Sequence, residues 1–404
     1  MDPYLIIIVA ALAVIVSHMF NLLARRTNIP SVLMLIILGL ALHQVLDRFG
    51  GFTPGPMIRQ SLNVLGIVGL IMIVLEAALD LELSREKLPL IARSFTVALL
   101  TLLGTAAVIA FVIHTLTGEP LYRSLVYATP LAIVSSAIVL PSVSLLPTEQ
   151  KEFMVYEATF SDILGIMLFY FLIADHGDDS GLQIAGSIGL SILITILVSV
   201  VASIAMIWVF QRIRTRIKFF LLFAVLLLLY ALGKKMELSS LLIILVFGLM
   251  VSNHGLVFRK YLEKVVRPEI MENMEKELHL ITGESAFLVR TFFFLVFGIS
   301  IDITRLADPE VLLIGGVIIV VIYAVRSITV GLVQRGDLKT VTLMAPRGLI
   351  TVLLAYNIPD HLKIPDRDGS ILLMVILVTS LVMMLGLLTG GGKHDLSVAP
   401  EPDP

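Results

Sequence analysis

The sequence has no cysteine and few charged residues. Without cysteine, disulfides, thiolate metal sites and cysteine nucleophiles are excluded. Only 15% of the 404 residues are charged, whereas 58% are hydrophobic, and the mean hydropathy is +1.00. The apolar residues stand in blocks of about 18 to 25, which is the length of a helix that crosses a bilayer. The composition therefore predicts an all-α protein with many membrane spans.

We predict thirteen spans along the chain. They lie at 4–24, 30–47, 58–80, 90–116, 121–146, 152–174, 184–210, 217–234, 238–254, 278–300, 309–334, 340–357 and 369–388. The first run has no basic region before it and no cleavage site, so we interpret it as a span rather than a removed signal. The segment 254–277 is charged and is typical of a cytoplasmic amphipathic linker helix or of a solvated connector, and we favour the connector. The last segment, 389–404, is rich in glycine, proline and acids, which is typical of a disordered tail.

Lysine and arginine are distributed unevenly between the two sides of these spans. With the N-terminus outside, the cytoplasmic segments hold more than twice as many of these residues as the outer segments. This asymmetry predicts an outer N-terminus and a cytoplasmic C-terminus. Three arginines fall inside spans. We expect Arg326 to snorkel towards the cytoplasmic surface, whereas Arg290 and Arg347 are deeper and need partners.

Asp162 lies near the middle of the sixth span. An ionisable side chain at that depth costs about 2.5–3.5 kcal/mol on insertion scales, so such residues usually face a cavity or a partner and serve transport. Glu157 lies in the same span and Glu76 in the third. Because a helix rises about 1.5 Å per residue, Arg290 in the tenth span is at a depth similar to that of Asp162. An acid and a base are therefore expected near the midplane.

The fifth and twelfth spans contain helix-breaking residues near their centres. These are Pro130, Ser135, Ser136 and Pro141 in the fifth span and Pro346, Arg347 and Gly348 in the twelfth. Irregular backbone at membrane depth survives only where protein or a cavity surrounds it. The two spans are seven apart and so cross in opposite directions. This predicts inverted repeats at 1–174 and 217–388, a linker helix at 184–210, and an ion site between the two broken helices.

Five segments, in this order, resemble the monovalent cation:proton antiporter superfamily, which includes the bacterial sodium/hydrogen exchangers. They are VLEAALDLEL at 74–83, SSAIVLPS at 135–142, EATFSDILG at 157–165, FLVRTFFFLVFGISID at 287–302 and APRGLITVLLA at 345–355. Together with the thirteen spans, they extend the resemblance over nearly the whole chain. The resemblance implies a core transport domain, a dimerisation domain and a homodimer in the cell (inner) membrane.

The resemblance also implies roles for individual residues. Asp162 matches the carboxylate that binds either a cation or a proton. Glu157 and Arg290 match a buried ion pair of the electroneutral branch. Glu76 matches a carboxylate of the third span that helps to order the site.

Four further residues match the two broken helices of the family. Ser135 and Ser136 fall where the fifth span unwinds, and Arg347 and Gly348 match an Arg-Gly pair in the twelfth. We expect Arg347 to stabilise unwound backbone rather than to bind the ion, because a cation there would be repelled.

Asp162 is expected to alternate between a proton and one dehydrated monovalent cation. Ser161, Ser135, Ser136 and backbone carbonyls would supply hard oxygen ligands. With alternating access, competition at one carboxylate gives exchange, and one titrating acid suggests one proton for each cation. Ser161 stands where sodium exchangers often have Asn or Asp. Ser-Ser-Ala replaces the commoner Thr-Asp-Pro or Thr-Ser-Pro, so sodium is only slightly favoured over potassium.

Other interpretations remain open. Asp162 is alternatively a structural acid that pairs with Arg290 or caps a broken helix, and the scaffold is alternatively that of an ion channel or a membrane sensor. An ATP-driven pump is disfavoured because the sequence has no glycine-rich phosphate loop. An intramembrane protease is disfavoured because Glu157 and Asp162 lie about 140° apart around their helix. We expect neither an enzyme nor a cofactor or nucleic-acid partner, and the partners expected are the bilayer, the proton and sodium or potassium.

Overall fold

A computed structural model describes most of the chain. The described residues are 3–27, 29–50, 56–81, 83–84, 86–143, 146–173, 194, 196–208, 218–235, 240–257, 268–300, 306–333, 338–364 and 369–390. The predicted tail lies outside them beyond position 390. The predicted linker helix is described only at 194 and over Ile196–Trp208.

Every regular element in the described residues is helical. The first repeat and the linker region contain α1 (Pro3–Thr27), α2 (Ser31–Gly50), α3 (Pro56–Leu79), α4 (Leu88–Thr117), α5 (Leu121–Ala132), α6 (Ser136–Ser142), α7 (Thr148–Ile173) and α8 (Ile196–Trp208). The remainder contains α9 (Lys218–Lys235), α10 (Ser240–Ser252), α11 (His254–Val257), α12 (Pro268–Ser300), α13 (Pro309–Val333), α14 (Leu338–Leu343), α15 (Leu349–Tyr356) and α16 (Ser370–Gly390). A short 3₁₀ turn, Asp360–Leu362, precedes α16.

The described helices agree with the predicted spans. Within the described residues, seven helical segments are each long and apolar enough to cross a membrane, and shorter apolar helices lie in five of the other six spans. Large apolar side chains such as Ile7, Phe111 and Val320 are exposed on the outer faces of α1, α4 and α13, as expected for contact with lipid. The predicted all-α polytopic fold is confirmed, and the fifth and twelfth spans are each broken into two helices, α5–α6 and α14–α15.

One predicted connector is partly helical. We predicted a solvated connector at 254–277, but α12 begins at Pro268 and runs without a break to Ser300. At about 1.5 Å per residue it is longer than the bilayer core, so its charged first turns project beyond the apolar layer. Lys276 and Glu272 form an i,i+4 ion pair at 2.8 Å on this projecting part.

The helices pack in two groups. In the first, the core group, α4, α5, α6, α7, α13, α14, α15 and α16 pack on one another. In the second, the scaffold group, α12 packs on α1, α2 and α3, and α10 packs on α3, α9 and α12. The groups meet where α3 contacts α7 and α15, and where α12 contacts α15. Both broken helices therefore belong to the core group, and α15 lies at its boundary with the scaffold group.

Candidate ion-binding site

The two broken helices cross at their unwound segments. Residues 133–135 join α5 to α6, and residues 344–348 join α14 to α15. The Ser135 N–H donates to the Pro346 carbonyl at 2.9 Å, so backbone groups freed by unwinding partly satisfy each other. Proline at 346 has no N–H to leave unpaired, which suits it to this position. The crossing expected from the sequence is therefore present.

Glycine permits the close approach of the chains at this crossing. A Cβ atom on Gly348 would lie 2.5 Å from Ser135 Oγ and 2.9 Å from Ser135 Cβ. A Cβ atom on Gly165 of α7 would lie 2.3 Å from Cγ1 of Ile133 in the first unwound segment. A larger residue at 348 would push the unwound segments apart, and a larger residue at 165 would push α7 away from Ile133.

Arg347 is fully buried and binds carbonyl groups of the unwound backbone. Its Nε donates to Leu131 O at 2.8 Å, and one terminal nitrogen donates to Ala132 O at 3.2 Å. The other terminal nitrogen donates to Ala345 O at 2.7 Å. Carbonyls at helix C-termini carry partial negative charge, so the guanidinium stabilises them where the helices end. This geometry agrees with the backbone-stabilising role expected from the sequence.

Asp162 and Ser161 of α7 contact the first unwound segment. Ser136 N–H donates to Asp162 Oδ2 at 3.1 Å, and Val134 N–H donates to Ser161 Oγ at 2.9 Å. Both side chains on α7 are only 2% exposed. The structure thus brings together Asp162, Ser161 and Ser136, as expected, and uses the Ser161 hydroxyl to hold the backbone at 134.

Two oxygens at the crossing have no hydrogen-bond partner among the described residues. They are Oδ1 of Asp162 and Oγ of Ser135, the residue next to the one that binds Oδ2. No ion pair within the described ranges involves Asp162. A buried charge without a partner is costly, so this carboxylate needs either a proton or a cation at its free oxygen. Oxygen atoms of this kind suit hard cations.

The ion pair of Glu157 differs from the predicted one. We predicted a pair with Arg290, but Glu157 pairs with Arg326 of α13, at 2.5 Å and 2.8 Å. Both side chains are fully buried, and Arg326 also donates to Val341 O of α14 at 3.1 Å and 3.0 Å. The predicted snorkelling of Arg326 is therefore wrong as well. A bidentate pair with further hydrogen bonds lowers the cost of burying both charges.

Arg290 pairs with the third acid instead. Its NH1 lies 3.1 Å from Oε2 of Glu76, across the packed helices α12 and α3. Both side chains are about one-fifth exposed, unlike the fully buried pair on Glu157. Near the same helices, His279 Nε2 of α12 lies 3.4 Å from Oδ1 of Asp80, the residue that follows α3. Glu76 and Arg290 thus belong to the scaffold group and not to the helix crossing.

The sequence did indicate that Arg326 could be the partner of Glu157. We missed this because we compared the depth of each arginine with that of Asp162 and not with that of Glu157. Glu157 lies about one and a half turns, and Arg326 about two turns, from the cytoplasmic end of its predicted span. Arg290 lies nearer the middle of its span. Matching each acid to a base at its own depth would have favoured Arg326 over Arg290 as the partner of Glu157. Thr379, whose Oγ1 accepts the Arg347 N–H at 3.1 Å, had no such signal.

Comparison with known proteins now adds to this geometry. A sequence profile described as "Sodium/hydrogen exchanger, transmembrane" matches residues 7–389. The chain belongs to this family. It is a family of transporters rather than enzymes, and its members are multi-pass membrane proteins. No curated protein sequence matches the chain.

Two solved structures of a sodium proton antiporter share the fold. The sodium proton antiporter MjNhaP1 from Methanocaldococcus jannaschii at pH 8 aligns with a TM-score of 0.71 and 19% identity, over 97% of this chain and all of that one. A map of the same antiporter from electron microscopy aligns with a TM-score of 0.62 and 18% identity, over 97% and 96% of the two chains. At 18–19% identity, the similarity shows a shared fold and no more than that.

Proposed function

We propose that this family member exchanges a monovalent cation for a proton by alternating access, with Asp162 carrying each in turn. Sodium is the favoured cation and potassium the alternative. The observation that carries the proposal is the Asp162 carboxylate itself. It is buried at the crossing of two broken helices, with Oδ2 held by the backbone and Oδ1 free.

The ion-binding set consists of Asp162, Ser135, Ser136 and Ser161. Asp162 Oδ1 and Ser135 Oγ are the two oxygens with no competing hydrogen bond, so they bind a dehydrated cation directly. Ser136 and Ser161 hold the carboxylate and the unwound segment in place through one hydrogen bond each. When Asp162 is protonated, its neutral carboxyl carries the proton across instead.

Charges around this set have supporting roles. Arg347 and Gly348 keep the unwound segments together, and the Glu157–Arg326 pair fixes α7 against α13 and α14. Glu76 and Arg290 order the facing scaffold helices. Because Arg326 neutralises Glu157, Asp162 is left as the acid that carries the exchanged ions.

The exchange proposed is electroneutral, one proton for one cation, in a homodimer. The distribution of lysine and arginine supports an outer N-terminus, a cytoplasmic C-terminus and residence in the cell (inner) membrane. Inverted repeats at 1–174 and 217–388, joined by a linker helix at 184–210, accord with two broken helices seven spans apart. The homodimer rests on the family resemblance.

The test is cation-driven proton efflux from proteoliposomes that hold the purified protein. We expect external sodium, lithium or potassium to drive efflux, with the highest apparent affinity for sodium. Asp162→Asn, which removes the charge but keeps the shape, is expected to lower the rate at least a hundredfold. A pH-sensitive dye inside the vesicles measures this rate.

Each alternative gives a different result in this assay. Exchange at a normal rate by Asp162→Asn would show that the site is assigned wrongly. Downhill cation flux without coupled proton movement would indicate a channel on this scaffold, and absence of any flux from folded wild-type protein would favour a sensor. Potassium as the best-bound cation would overturn the preference for sodium.

A further inference from the structure

Thr159 of α7 carries a buried hydroxyl that no bond explains. The side chain is fully buried, and its Oγ1 has no hydrogen-bond partner among the described residues. Three other buried threonines in helices do use their hydroxyl within the helix. Thr129, Thr282 and Thr379 each donate to the carbonyl four residues earlier, at 2.8, 2.6 and 2.7 Å. An unpaired hydroxyl in the interior costs about 1–3 kcal/mol, a cost that a bound cation would remove.

The position of Thr159 links it to the ion-binding set. It precedes Asp162 by three residues, which places it one turn away and about 60° around the helix. It lies about 200° from Glu157, so it points away from the buried ion pair with Arg326. The hydroxyl is thus adjacent to the carboxylate and outside the structural charge network.

Helical spacing also shows which way Thr159 faces. Tyr170 follows it by eleven residues and so lies within about 20° of the same face of α7. The hydroxyl groups of Tyr170 and of Tyr230 in α9 lie close together, so this face is turned to the scaffold group. Helix α3 of the scaffold group also packs on α7. In alternating access, the path to the site opens between two bundles that move against each other.

We propose that Thr159 Oγ1 is a further cation ligand, which binds the ion beside Asp162 Oδ1 on the side facing the scaffold group, and that it favours small hard cations. This inference rests on the proposed exchange at Asp162. A hydroxyl oxygen has lone pairs for a dehydrated cation and is a hard donor. Its loss therefore weakens binding of sodium and lithium more than binding of potassium.

The experiment compares Thr159→Val with Thr159→Ser in proteoliposomes. Valine keeps the volume and branching but lacks the hydroxyl, whereas serine keeps the hydroxyl. We expect Thr159→Val to raise the KM for sodium about tenfold, because a lost polar contact of this kind costs about one power of ten in affinity. The maximal rate should stay within about twofold of wild type, and Thr159→Ser should keep the wild-type KM. The ratio of the potassium KM to the sodium KM should fall in the valine variant.

Thr105→Val is the matched control. Thr105 is also fully buried with an unpaired hydroxyl, but it lies on α4, which contributes nothing to the crossing. We expect its sodium KM to equal that of wild type. An unchanged KM in Thr159→Val, or an equal rise in Thr105→Val, would overturn the assignment. If the valine variant does not fold, Thr159→Ala provides the same comparison with serine.

Failure of this inference is distinguishable from failure of the proposed function. If wild type exchanges and Asp162→Asn does not, an unchanged KM in Thr159→Val rejects only the ligand role of Thr159. If wild type does not exchange, equilibrium binding of radioactive sodium to the detergent-solubilised protein still tests Thr159. Binding that is weakened about tenfold by Thr159→Val supports the ligand, and equal binding rejects it.

Discussion

At the scale of single residues, the core group contains two kinds of buried arginine. Arg326 meets a carboxylate, and the pair is neutral and fully hydrogen-bonded. Arg347 meets carbonyl groups at the ends of broken helices, and among the described residues none of its hydrogen bonds goes to a carboxylate. The first arrangement fixes three helices, α7, α13 and α14, and the second fixes the crossing. Among the described residues no arginine pairs with Asp162, as the proposed cation site requires.

Breaking the Glu157–Arg326 pair should destabilise the protein strongly. Glu157→Leu leaves the arginine charged and unpaired, and removing one partner of a buried pair costs about 3–5 kcal/mol. The double variant Glu157→Leu with Arg326→Met removes both charges, so it should recover most of that loss. The measurement is the apparent unfolding temperature of the protein in detergent, obtained from the fraction that stays monodisperse after heating.

Glu149→Gln on the same helix is the control for that prediction. Glu149 pairs with Arg93 at 3.0 Å, but its side chain is 75% exposed. Exposed pairs contribute about 0–1 kcal/mol, so this change should leave the unfolding temperature almost unaltered. A Glu157→Leu variant as stable as Glu149→Gln would contradict the structural role of the buried pair.

The residues of the crossing were predictable, but their charge partners were not. Ser135, Ser136 and Asp162 lie together as the sequence indicated, because breaks and acids at one depth are visible in a linear chain. Depth, however, says nothing of the direction in which a side chain points from its helix. Arg290 was at the right depth for Asp162 but faces Glu76 on α3. A pairing of this kind depends on which helices are neighbours, and that is a property of the packed fold.

At the scale of helices, hydropathy identifies the apolar part of an element but not its ends. Helix α12 shows this, because its apolar run starts well after Pro268, where the helix itself begins. The charged first turns form their backbone hydrogen bonds within the helix, so they are stable outside the apolar layer. The broken spans show the opposite case. Their apolar runs are continuous, and only proline, serine and glycine indicate that α5–α6 and α14–α15 are not single helices.

Gly298 should tolerate no larger residue, because α2 and α12 touch through their backbones there. A Cβ atom at 298 would lie 2.6 Å from Ile36 O and 2.9 Å from Gly39 Cα, and neither backbone atom moves easily. Small residues allow this kind of close packing between membrane helices. We expect Gly298→Val to lower stability by about 1–3 kcal/mol or more, the usual cost of overpacking. The apparent unfolding temperature in detergent measures this loss.

Gly316 provides the comparison for Gly298. It is also helical, in α13, but a Cβ atom there meets nothing within 4 Å. Gly316→Ala should be neutral or stabilise the protein by up to about 1 kcal/mol through helix propensity. If Gly298→Val is as stable as wild type while Gly316→Ala is not, the packing of α2 on α12 differs from that described.

At the scale of the whole molecule, neither of the two ion pairs described above joins the core group to the scaffold group. Glu157 and Arg326 belong to the core group, whereas Glu76 and Arg290 belong to the scaffold group. A pair between Glu157 and Arg290 would have joined the groups, and their relative motion would have broken it. Because no such pair exists among the described residues, the alternating access proposed for this protein would not have to separate buried opposite charges.

The same distribution of charge predicts that exchange carries no net current. If the core group moves, Arg347 and the Glu157–Arg326 pair contribute the same charge in each direction, so their contributions cancel over a cycle. In the proposed cycle, Asp162 is neutralised by a cation in one direction and by a proton in the other. We therefore expect a voltage-sensitive dye to report no membrane potential in proteoliposomes under a sodium gradient, while an internal pH-sensitive dye reports proton efflux. A membrane potential that builds up with the efflux, and that disappears in Asp162→Asn, would show that more than one proton is exchanged for each cation and that a second acid takes part.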